Sequence, residues 1–140
     1  MILHCNFEEL GALRKGAETL LAEGGGQRGS VAAPPEGREE AEALLPRLSG
    51  DLTIETLAEQ RRVLRAVEAI VTLLKEEMDE AVIETHPAGE VAVSSYFLYA
   101  HALSVLVRVE DMGTEMAALI ELVTGVPPTP DVAETFRFPG

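Results

Sequence analysis

The chain has 140 residues, 46% of them hydrophobic, which suffices for one folded core of ordinary size. Its 24 acidic and 11 basic side chains give a formal charge of −13, which excludes the basic footprint of a sequence-independent nucleic-acid binder and predicts no nucleic-acid partner. The one cysteine, Cys5, cannot close an internal disulfide, and no Cys/His spacing of zinc-site type occurs, so the expected setting is reducing and cytoplasmic, without a cofactor. Residues 1–7 carry no basic stretch followed by an apolar run, so nothing directs export.

In chain order, Asn6 followed three residues later by Glu9 has capping-box spacing and predicts a helix start at Phe7. Leu10, Leu13, Ala17, Leu20 and Leu21 recur at helical intervals until Gly24-Gly25-Gly26 stops the helix. Residues 24–35 hold four of the twelve glycines plus Pro34 and Pro35, the composition of a mobile loop. A short helix over 36–45 follows, with Ala41, Leu44 and Leu45 on one face and Pro46 ending it.

From Thr53, taken as an N-cap, no Gly or Pro interrupts the chain until about Thr85, which predicts a helix of about 32 residues over 54–85. Leu57, Leu64, Val67, Val71, Leu74, Met78 and Ala81 form a heptad-like seam broken by Gln60, and Val63, Ala66, Ile70 and Leu73 widen it. The opposite stripe of Arg61, Arg65, Glu68, Thr72, Glu76 and Asp79 suits solvent, with Arg65 and Glu68 in i,i+3 contact. His86-Pro87 turns the chain.

Residues 91–107 contain no Asp, Glu, Lys or Arg. The run is shorter than the ~20 residues of a membrane span and includes Ser94, Ser95, His101 and Ser104; as a single strand it would be too long. It predicts a mostly buried helix over about 88–124, kinked or interrupted at Gly113 and stopped by Gly125, Pro127 and Pro128. The tail 126–140 reads as irregular, with Phe136 and Phe138 placed to pair as an edge strand with residues 2–5.

The expected fold is therefore all-α, a single helical domain over 1–140 built on a long antiparallel hairpin with two shorter N-terminal helices. The short helices cannot cover hairpin arms of more than 45 Å, and the uncovered apolar surface predicts a homo-oligomer, most simply a two-fold dimer with a four-helix core, and no membrane partner.

Three groups stand out as candidate sites. Glu90, Ser94, Phe97, His101, Ser104, Arg108 and Glu115 share one helical stripe, and hairpin pairing would bring His101 near Thr72 or Glu76 and Arg108 near Arg65 or Glu68, forming a polar seam of Glu68, Thr72, Glu76, His101 and Arg108. The same stripe also suits a solvated face. Glu76, Glu77, Asp79, Glu80 and Glu84 crowd a helix C-terminus, and Glu76, Glu80, Glu84, His86 and Glu90 are candidate ligands for a hard divalent cation, in a spacing that an acidic surface shares. His4 and Cys5 are adjacent, so a strand would point them to opposite faces, and a small packed cysteine is expected rather than a nucleophile. Tyr96, Phe97 and Tyr99 suit packing. No phosphate loop, Gly-x-Ser-x-Gly elbow or Glu-x-x-His pair occurs. No catalytic constellation is expected. The reading is a non-enzymatic, self-associating structural or adaptor protein, with a metal-binding bundle, a small enzyme using His101, Glu76 or the tyrosines, and an acidic inhibitor of a basic protein as alternatives.

Overall fold

The computed structural model describes residues 1–23, 36–84 and 89–139. The expected mobile loop 24–35 and the corner holding His86 and Pro87 lie outside the described residues. The protein is an all-α bundle with one two-stranded antiparallel sheet: β1 (Ile2–Leu3), α1 (Phe7–Glu23), α2 (Arg38–Leu44) continuing into a 3-10 turn (Leu45–Arg47), β2 (Leu52–Thr53), α3 (Leu57–Glu84), α4 (Glu90–Thr124) and α5 (Pro130–Thr135).

The start of α1 is a reciprocal capping box. Asn6 Oδ1 accepts the Glu9 N–H at 2.8 Å, and Glu9 Oε1 accepts the Asn6 N–H at 2.9 Å, so two of the donors that a helix start leaves unpaired are satisfied. The periodic residues Leu10, Leu13, Ala17 and Leu20 are all buried. Gly16 sits where α1 crosses α3: a Cβ there would lie 2.5 Å from Ile70 Cγ2.

α3 begins three residues later than its uninterrupted composition suggests. Thr53 pairs with Ile2 in the sheet and is unavailable as a cap; Thr56 takes that role, its hydroxyl accepting the Glu59 N–H at 3.1 Å. Leu57, Val67, Val71, Leu74 and Ala81 are buried along the seam, as are Val63, Ala66, Ile70 and Leu73. Gln60 is not a break in that seam. Its buried amide donates from Nε2 to the Val109 carbonyl of α4 at 2.7 Å. Gly113 lies beside this amide, where a Cβ would fall 2.4 Å from Gln60 Nε2. The glycine thus makes room for a buried polar contact, and α4 runs through it without interruption. The contact also fixes the antiparallel register: the start of α3 meets residues 109–113, while the end of α3 at Glu84 and the start of α4 at Glu90 lie at the opposite end of the hairpin.

The tail departs from the expected irregular segment and terminal strand pair. Thr129 caps α5, and β1 pairs with β2, in the register Ile2 to Thr53 and Leu3 to Leu52. The C-terminal segment docks beside that sheet: the Phe138 N–H donates to the Glu55 carbonyl at 2.7 Å, and the Met1 ammonium donates to the carbonyls of Ile54 at 2.8 Å and Pro139 at 2.9 Å. Phe138 is buried and meets Phe136 with ring centroids 5.1 Å apart.

The two glycines of α1 provide a test of this packing. Gly16→Ala is expected to destabilise the fold by about 1–3 kcal/mol through overpacking against Ile70. Gly11→Ala, with nothing within 4 Å of the added Cβ, is expected to stabilise it by roughly 0.5–1 kcal/mol through helix propensity. Urea denaturation of the two variants checks both signs.

Candidate functional site

The expected polar seam between α3 and α4 does not assemble. Glu68, Thr72 and Glu76 are exposed on the outer face of α3 together with Arg61, Arg65 and Asp79. His101 is half-buried on α4, and no hydrogen bond or ion pair joins it or Arg108 to those residues among the described ones. The hairpin register alone left the rotation of α4 free, and α1 determines it. Arg108 turns to α1, where its guanidinium donates to Glu9 Oε2 and, at 2.7 Å, to the His4 carbonyl. Arg65 likewise leaves Glu68 and pairs with Glu40 of α2 at 3.2 Å.

Glu9 is therefore the buried charge of the molecule's base, at 4% exposure. Burial pushes its carboxyl upward, but the Arg108 hydrogen bond, the Asn6 N–H, the Arg108 charge and the Ser104 hydroxyl outweigh that and hold it below the ordinary glutamate range. Beside it, His4 Nδ1 lies 2.8 Å from Asp51 Oδ2, and the Cys5 N–H donates to Asp51 Oδ1 at 3.1 Å. The Asp51 carboxyl is lowered by the His4 contact and by the Cys5 N–H. The Cys5 thiol moves the other way: burial raises it, Arg108 offsets this in part, and the Glu9 and Asp51 charges add to the rise. A thiol held up in this way stays protonated at neutral pH.

The acidic end of the hairpin does not gather a metal centre among the described residues. Glu76, Glu80 and Glu90 are exposed, while His86 and the Glu84 side chain lie outside the described residues. No group of three or more His, Cys, Asp or Glu side chains there could hold a metal ion. An open cleft of about 240 Å³ between α2 and α3 is lined by Glu39, Glu40, Arg47, Glu59 and Arg62 over Leu44 and Val63. Its cations are engaged, Arg47 with Glu59 at 3.8 Å and Arg62 with Glu134 at 3.4 Å.

What the residues do assemble is an apolar surface. α4 is apolar on two sides: Ala102, Val105, Val109, Met112, Met116 and Ile120 are buried inward, while Val93, Tyr96 and Val107 are exposed outward, with Ala100 and Leu103 half-buried between them. Positions 93, 96, 100, 103 and 107 keep the alternating three- and four-residue spacing of a coiled-coil seam. Phe97 flanks the seam, edge-on to Tyr96 with centroids 5.7 Å apart. Val82, Ile83 and Val91 extend the exposed apolar surface at the end of the hairpin. The sequence reading placed residues 91–107 in a mostly buried helix; the helix is there, but of residues 91–101 only Ala92 is buried. By length and composition alone, α4 would also span a membrane.

No family model, curated protein or solved structure matches the chain.

The Glu9 cluster predicts a pH dependence. A carboxyl lowered on folding contributes stability that is present above its unfolded value, about 4.3 for glutamate, and is lost as pH falls through the folded value. Stability in urea is expected to drop below about pH 4, and Glu9→Gln is expected to flatten that drop while lowering stability at pH 7 by roughly 1–2 kcal/mol through the damaged cap and ion pair.

Proposed function

We propose that the protein is a non-enzymatic structural or adaptor protein that works by self-association through its long hairpin. The observation that carries this reading is the outward apolar seam of α4. Val93, Tyr96, Phe97 and Val107 are each about half exposed, at 49%, 54%, 54% and 51%, on a helix whose opposite side is already packed into the core. Exposed apolar surface of that extent on a helix with coiled-coil spacing is what a second helix covers.

A protein surface fits the seam better than a lipid one. The apolar stretch is bounded by Glu90 on one side and by Arg108, Glu110 and Asp111 on the other, all within α4, and the inward side of the same helix is committed to packing on α3 and α1. A membrane-spanning reading would have to give up that packing.

Sedimentation velocity at about 50 μM is expected to show a dimer or higher oligomer. Tyr96→Glu and Val107→Glu are each expected to weaken association roughly 30-fold or more, the effect of losing about 2 kcal/mol at an interface centre, with helical circular dichroism unchanged. A wild-type chain that sediments as a monomer at that concentration overturns the reading.

A further inference from the structure

We draw no further inference here: the strongest candidate, the outer apolar face of α4 around Val93, Tyr96 and Val107, belongs to the surface already described, and nothing in the structure shows what covers it.

Discussion

The packing of α3 on α4 is the constraint on which the rest of the molecule depends. Helices of 28 and 35 residues are roughly 42 and 52 Å long, and α1, with 17 residues, reaches only about half as far. Among the described residues, α1, α2 and α5 are the helices that pack against the hairpin. The inner faces of both arms are sealed by Val67, Ile70, Leu74, Val105, Val109 and Met116, and one buried amide, Gln60 against the Val109 carbonyl, sets their register where Gly113 gives it space. A buried amide in an otherwise apolar seam tolerates few alternatives, because a shift of one turn would set a side chain where Gly113 leaves room for it.

The fold is tied by polar contacts that link distant parts of the chain. The Met1 ammonium holds the Ile54 and Pro139 carbonyls, β1 pairs with β2, Phe138 binds Glu55, and Arg108 reaches across to Glu9 and the His4 carbonyl. These contacts explain two features together. They rotate α4 so that Ser104 and Arg108 face α1, and that rotation turns the Val93, Tyr96 and Val107 side of the helix outward. The structural role of Arg108 and the exposure of the seam are consequences of one geometry.

Much of this was legible in the sequence. The capping box of Asn6 and Glu9, the buried periodicity of α1 and α3, the solvated stripe from Arg61 to Asp79, and the helical rather than extended character of residues 91–107 all follow from local spacing, because each depends on residues within a turn or two of one another. The length mismatch between hairpin and short helices was legible for the same reason. What misled was partnership at a distance. Thr53 has the chemistry of a cap but is consumed by Ile2 in a sheet; Arg65 has Glu68 one turn away but pairs with Glu40; Gly113 has the look of a helix break but is a slot for Gln60.

The sequence by itself determined that the four longer helices form and roughly how long they are, since these are matters of period, composition and rise per residue. Only the tertiary structure decided which side of α4 faces inward. Between Val91 and Val107 that helix carries a narrow polar stripe, Ser94, His101 and Ser104, so its hydrophobic pattern leaves the inward face open; packing on α3 and α1 fills that face, with the Gln60 amide on the Val109 carbonyl and Arg108 on Glu9 as the polar contacts that accompany it.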